Sequence, residues 1–286
     1  MQKLNAMRKK AFLITVIAIG LIAIGFVLFV GMPAIGGPLF FIGIIISLIS
    51  AGTIGGKFTL LYKEMICKEV IEKLFDVEEY IPKKGFDATF VKETHFIHNG
   101  NRYSSDDYIR GSYKGCEFER SDVHMQNVSS NGKTTTTVTY FQGSWTIFTL
   151  PKKIATYMLI REKEFLSGGR PGGIFSSIPY TEKVKFEDID FNNRFEVYAE
   201  DQHDAFYLIT PVFMEKIKEL EYMEDGRLII GIKDEKVHVL FDNRSNAMEP
   251  SVWREVNEED FKSVENEMRK IIRIMDILGL IPENEV

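Results

Sequence analysis

Acidic residues are missing from the first 56 positions of the 286-residue chain, and residues 11–56 carry no charge of either sign. Cysteine is scarce, with Cys67 and Cys116 the only two. Two thiols form no disulfide framework, which suits a reducing compartment, and the five scattered histidines offer no matching spacing for a structural zinc site. No G-x-S-x-G elbow and no H-E-x-x-H pattern occurs. The body also lacks a basic excess. Lys3, Arg8, Lys9 and Lys10 precede the charge-free run, so residues 57–286 hold 31 basic against 41 acidic side chains. Phosphate backbones repel an acidic body of this kind, which argues against nucleic acid as a partner and against lying flat on an anionic leaflet.

What is present in that run is oil. As one helix its 46 residues would be about 69 Å long, against about 30 Å of bilayer core. The chain is therefore expected to fold back, with spans at about residues 11–30 and 34–54 and a turn at Gly31, Pro33, Gly36, Gly37 and Pro38. A cleaved signal peptide is the rival for the first span. Its apolar run is longer than the usual signal core, and a second apolar run follows at once. Arg8, Lys9 and Lys10 precede the first span, Lys57, Lys63, Lys68 and Lys73 follow the second, and the turn is uncharged. The positive-inside rule then puts both termini in the cytoplasm of a multi-pass plasma-membrane protein. Gly43, Ser47, Ala51 and Gly55 form a small-residue stripe that suits close helix packing. The partner is the first span through Thr15, Ala18 and Gly25, or a second copy in a homo-oligomer. Gly52-Thr-Ile-Gly-Gly-Lys-Phe58 brushes a phosphate-loop pattern, but Ala51 and Phe58 stand where Gly and Ser/Thr are needed.

Residues 58–75 have helical periodicity through Tyr62, Ile66, Val70 and Leu74. Asn131-Gly132 then signals a hairpin that would set Met125 opposite Val138 and Val123 opposite Tyr140. Cys116 and Phe118 have the opposite parity to Val123, so a bulge or break is expected near Arg120 and Ser121. Strands are also expected over residues 145–150, 155–160 and 194–198, with a second hairpin pairing 227–232 and 237–241. A Gly-rich stretch at 166–173 reads as a surface loop. Thr210-Pro211 opens a helix. A last helix begins at Asn257, ends near Gly279, and spaces Phe261, Val264, Met268, Ile271, Met275 and Leu278 as a heptad seam for cis packing or a coiled-coil partner.

The expected class is α+β: an N-terminal two-helix transmembrane hairpin, then a mixed, mainly antiparallel β domain with flanking helices and a C-terminal helix. The expected segments are a hairpin over 1–56, a membrane-proximal helix over 57–80, a cytoplasmic α+β domain over 81–250 and a C-terminal helix over 251–286.

Three passages, residues 102–124, Phe141-Gln-Gly143 and residues 195–211, lie in that order behind the hairpin. Together they resemble an uncharacterised bacterial family catalogued only as a domain of unknown function, over roughly residues 58–250. The resemblance implies a membrane-tethered cytoplasmic domain, sometimes associated with small membrane proteins of the LemA type. It supplies no catalytic or binding residues to carry over.

Chemistry is thin. Cys116 with His124 is a candidate nucleophile and base, and His95 with His98 a candidate metal pair on one helical face. Asp106, Asp107, Glu119, Asp122 and His124 concentrate polar groups in one stretch. No catalytic, cofactor or metal residue is assigned, and no cofactor is implied. Two readings compete. One is a membrane-anchored cytoplasmic binding or scaffolding module for a protein partner, such as a small membrane protein. The other is a membrane-tethered hydrolase-like enzyme with its site around residues 106–124. A deep pocket holding Asp122 and His124 favours the enzyme, and a filled core with exposed apolar surface favours the module.

Overall fold

The computed structural model describes residues 1–150, 156–163, 181–244 and 248–282. The Gly-rich stretch at 166–173 lies outside them. The chain divides into two compact units, Met1–Lys73 with Ala247–Glu267, and Leu74–Asn246 with Met268–Val286.

In the first unit, α1 (Gln2–Gly31) and α2 (Pro33–Ser50) are separated by Met32 alone. The turn is tighter than the glycines and prolines suggest. Pro33 opens α2, where its missing N–H costs nothing, and the Ile35 and Gly36 amides donate to the Met32 carbonyl. Gly36 serves contact rather than turning. A Cβ on Gly25 would lie 2.4 Å from the Phe40 backbone N, and one on Gly36 2.3 Å from that of Phe29. Gly43 likewise abuts Ile22 and the Ala18 carbonyl. The two helices therefore touch backbone to backbone, as small-residue stripes permit. Their other faces are bare hydrocarbon, with Val30 86%, Val27 70% and Leu48 69% exposed.

Beyond α2 the helix does not stop. A π-helical turn (Ala51–Gly55), α3 (Gly56–Tyr62), a second π turn (Lys63–Cys67) and α4 (Lys68–Leu74) run on as one helix from Pro33 to Leu74. The phosphate-loop lookalike is thus helical, with its amides committed to the helix. The expected helix over 57–80 gives way early, because β1 (Asp76–Ile81) begins at Asp76. Buried Cys67 donates to the Met248 carbonyl at 3.9 Å, and buried Lys63 pairs with Glu249 at 2.5 Å.

The second unit is one nine-stranded sheet in the order β1-β2-β3-β4-β9-β8-β5-β7-β6. After β1 come β2 (Arg102–Tyr113), β3 (Cys116–Ser130), β4 (Thr135–Thr149), β5 (Met158–Glu162), β6 (Glu182–Val184), β7 (Phe195–Ala199), β8 (Arg227–Lys233) and β9 (Lys236–Asp242). Every pairing among the described residues is antiparallel. Along β8, consecutive residues 228–232 are all buried, so both faces of the sheet centre are covered.

The first hairpin turns on Gly132-Lys133, not Asn131-Gly132. Asn131 pairs with Thr134, its side chain accepts from the Lys133 and Thr134 amides, and Gly132 takes φ 82°. A register shift after Met125 moves the pairing further, so Met125 faces Phe141 and Val123 faces Gly143. The parity switch at Arg120 and Ser121 also has another cause. β3 is unbroken, and the irregularity lies in its neighbour β2, between Asp106 and Ile109. Cys116, Phe118 and Arg120 are buried on one face and Ser121, Val123 and Met125 on the other.

Between strands lie α5 (Ala88–Thr94), α6 (Ile189–Arg194), α7 (Gln202–Leu208) and α8 (Pro211–Met223). Thr210 caps α8 by accepting from the Phe213 amide. The last helix, α9 (Glu258–Leu278), has reciprocal capping: Asn257 Oδ1 accepts from the Glu259 amide and Asp260 Oδ2 from the Asn257 amide. It ends in a Schellman closure, with Leu280 N donating to Met275 O and Gly279 N to Asp276 O. Val264, Met268, Ile271 and Met275 are buried within the single chain, so the seam packs in cis.

An aromatic layer covers one sheet face. Phe96 lies over Gly231, where a Cβ would come within 2.3 Å of its ring. Trp145 Nε1 donates to His238 Nδ1 at 3.1 Å, and Phe90 and Phe96 close over the imidazole. Burial, with Lys236 and Lys233 adding to it, pushes His238 down to about 3, so the ring is neutral in the fold.

Two outcomes follow. Gly25→Leu should lower the unfolding free energy of the detergent-solubilised chain by about 1–3 kcal/mol or more by overpacking. Gly20→Leu, where nothing lies within 4 Å, should leave the melting midpoint unchanged. His238 takes up its proton only in the unfolded state between its ordinary 6.5 and its folded value of about 3. Stability should therefore fall as pH drops through that window, by up to about 1.4 kcal/mol per pH unit. His238→Asn, which keeps an acceptor for Trp145, should flatten that slope in denaturant titrations.

Candidate functional site

The polar stretch of residues 102–124 is divided between β2 and β3. The register sets Ser104 opposite His124 and Asp106 opposite Asp122, and β4 adds Gln142 opposite His124. Paired residues share a face, so these side chains line an open groove of about 270 Å³. Its polar groups are largely committed to the fold. Buried Arg120 holds Asp122 at 2.8 Å. Ser105 Oγ donates to the Asp122 carbonyl at 2.6 Å and accepts from the Phe86 amide, so it is no nucleophile. The Gln142 backbone N–H donates to Asp242 Oδ1 at 3.1 Å, and Asp242 also pairs with Arg227 at 2.5 Å, so only the Gln142 side-chain amide faces the groove. His124 stands apart. Its Nε2 is buried without a hydrogen-bond partner among the described residues. Burial, then the nearby Arg102 charge, lowers its pKa, against an opposing pull from Asp242. The groove thus offers a neutral imidazole, an ion-paired carboxylate and an amide. It is shallow polar binding chemistry, without a base-activated nucleophile.

The other candidates are dispersed. Cys116 and His124 lie eight residues apart on one extended strand, about 26 Å, which rules out a dyad. Burial, with Glu117 adding to it, raises the Cys116 thiol to about 11, so it stays protonated. Asp107 sits buried in the β2 irregularity at φ 54° and accepts from Tyr80 Oη at 3.0 Å. Glu119 alternates to the opposite face from Asp122, where it accepts from Tyr108 Oη at 2.9 Å and Lys236 at 3.1 Å. His95 and His98 share no helical face, because α5 ends at Thr94 and His95 is its left-handed cap. His98 instead packs edge-on against Tyr140.

Three features escaped the sequence reading. Neutral His238 is one. The second is the Glu196 carboxylate on β7. Burial alone would raise it, but Lys183 at 2.6 Å and Arg161 at 2.9 Å outweigh burial and hold it at about 2. Both residues interrupt apolar strands, and a polar residue in a strand buried on both faces is the signal that could have found them. The third is the α7–α8 corner, where Phe206 is 52% and Val212 67% exposed. Phe206 is pinned edge-on to Phe186.

Residues 139–280 match a family model described as protein of unknown function (DUF3137). The match takes in Phe141-Gln-Gly143, the 195–211 passage and α9, and the 102–124 passage lies before it. No curated protein matches the chain. Among solved structures, the chain is similar to the crystal structure of the mycobacterial trehalose monomycolate transport factor A, TtfA. The identity is 11% and the TM-score 0.39, over 78% of this chain and 98% of that one. A likeness so loose carries no argument.

Proposed function

We propose that this chain, which carries a domain of unknown function over residues 139–280, is a membrane-anchored module that holds a protein partner on the cytoplasmic side. The carrying observation is the pair of α1 and α2. They are packed through backbone contact on one side and expose continuous hydrocarbon on the other, which suits lipid rather than water. Basic residues flank the two helices at their charged ends, and the Met32 turn between them is uncharged. That supports two crossings within residues 1–56 with both termini inside.

The binding role is supported by the second unit. Its sheet is filled on both faces at the centre, the polar groove around Asp122 and His124 is open with its carboxylate already ion-paired, and exposed apolar residues include Phe206, Tyr207 and Val212 at the α7–α8 corner. Phe206 there is a large aromatic left exposed beside exposed Tyr207 and Val212, apolar surface that suits an interface. The groove around Asp122 and His124 is the alternative, a ligand site of a tethered enzyme. The spent pairings of Asp122 and Ser105 weigh against it.

Topology is checked with a cysteine at the exposed position Asn131. Cys67 and Cys116 are buried, so background labelling is low. Impermeant maleimide should label Asn131→Cys only after permeabilisation, and labelling of intact cells would refute the inside location. Partner binding is checked by crosslinking in native membranes with mass spectrometry. Phe206→Asp should remove a discrete adduct that Thr136→Asp, an exposed control, retains.

A further inference from the structure

Trp253 is a large aromatic left 59% exposed by a loop that is otherwise firmly tied down. Its neighbours strap it to the first turns of α1. Asn5 Nδ2 donates to the Val256 carbonyl at 2.9 Å, and the Val256 amide returns a bond to Asn5 Oδ1 at 3.0 Å. Arg8 reaches the Val252 carbonyl at 3.5 Å and the Glu255 carboxylate at 3.3 Å. These ties fix the backbone of residues 252–256 and leave the indole facing outward. Its ring centroid lies 5.6 Å from that of Phe12, edge to face at 89°.

The level at which this happens matters. Arg8, Lys9 and Lys10 end the charged turn of α1, and the charge-free run starts at Ala11. Phe12 is the second residue of that run, and Leu13, Val16 and Ile17 beyond it are 58%, 43% and 49% exposed. Trp253 therefore stands at the rim where basic side chains give way to hydrocarbon. An indole, with an apolar body and one polar N–H, is the side chain best suited to that boundary. Glu255, two residues from Trp253, is offset by Arg8 at 3.3 Å and Lys9 at 3.7 Å. The contact would thus bring the Glu255 carboxylate to a headgroup already paired.

We propose that Trp253 is an interfacial anchor: the loop at 252–256 presses its indole into the headgroup–acyl boundary beside α1, as a third lipid contact contributed from far along the chain. This rests on the membrane reading of α1 and α2. The partner is the bilayer itself, in continuity with the lipid-facing surface of α1.

The chain has two tryptophans, and Trp145 is fully buried in the sheet core, so fluorescence separates them. Full-length protein is reconstituted in phosphatidylcholine vesicles brominated near the top of the acyl chains, then floated after carbonate washing. Wild type should be strongly quenched, and Trp253→Phe should lose most of the quenchable signal while still floating. Asn5→Ala, which cuts the strap but keeps the indole, should give intermediate quenching. Equal quenching in Trp253→Phe, or an unquenched wild type that floats, would overturn the anchor and leave the spans intact. A wild type that fails to float would overturn the membrane reading and the anchor together.

Discussion

A peptide backbone that enters hydrocarbon must carry its hydrogen bonds with it, because no water is there to complete them. Residues 11–56 have no charge with which to refuse that environment. Helix is the one local solution open to them, and their length forces a reversal. Met32 makes the reversal in a single residue, and the returning helix lies so close that Gly25 and Gly36 meet main chain rather than side chain. The second helix runs on past the charge-free stretch to Leu74 through two π turns. Thr53 Oγ1 and the glycines beside it are absorbed into a continuous helix, not a phosphate-binding loop.

The sheet obeys a different constraint. Its centre is closed by the pairing of β4 with β9, strands almost a hundred residues apart in the chain, Ser144 facing Phe241 and Thr149 facing Lys236. Burying both faces there leaves little solvent side for polar residues, and two buried polar clusters are answered from within the fold. Trp145 supplies a donor to neutral His238, and Arg161 and Lys183 surround Glu196. Buried polar groups on these terms specify the packing rather than a reaction.

That distinction governs the functional reading. Residues 102–124 look rich in acid and base while they are a string of letters. Strand alternation sends Glu119 to one face and Asp122 to the other, the β2 irregularity locks Asp107 against Tyr80, and extended geometry holds Cys116 far from His124. What survives is a shallow groove with one imidazole. The exposed apolar corner at Phe206 and Val212 and the strapped indole of Trp253 are better placed for meeting something outside the chain.

The sequence by itself determined what depends on local chemistry: the oily hairpin, the helix over 58–75, the caps at Thr210 and Asn257, the hairpin at 233–236 and the α+β class. Each is decided by residues within a turn or two of one another. Tertiary structure alone decided strand order, the register past the Met125 irregularity, which polar residues share a face, and the docking of residues 252–256 on α1. Those depend on contacts between segments tens to hundreds of residues apart, where one residue of slip reverses every side chain. No periodicity in a single strand or helix records such a pairing.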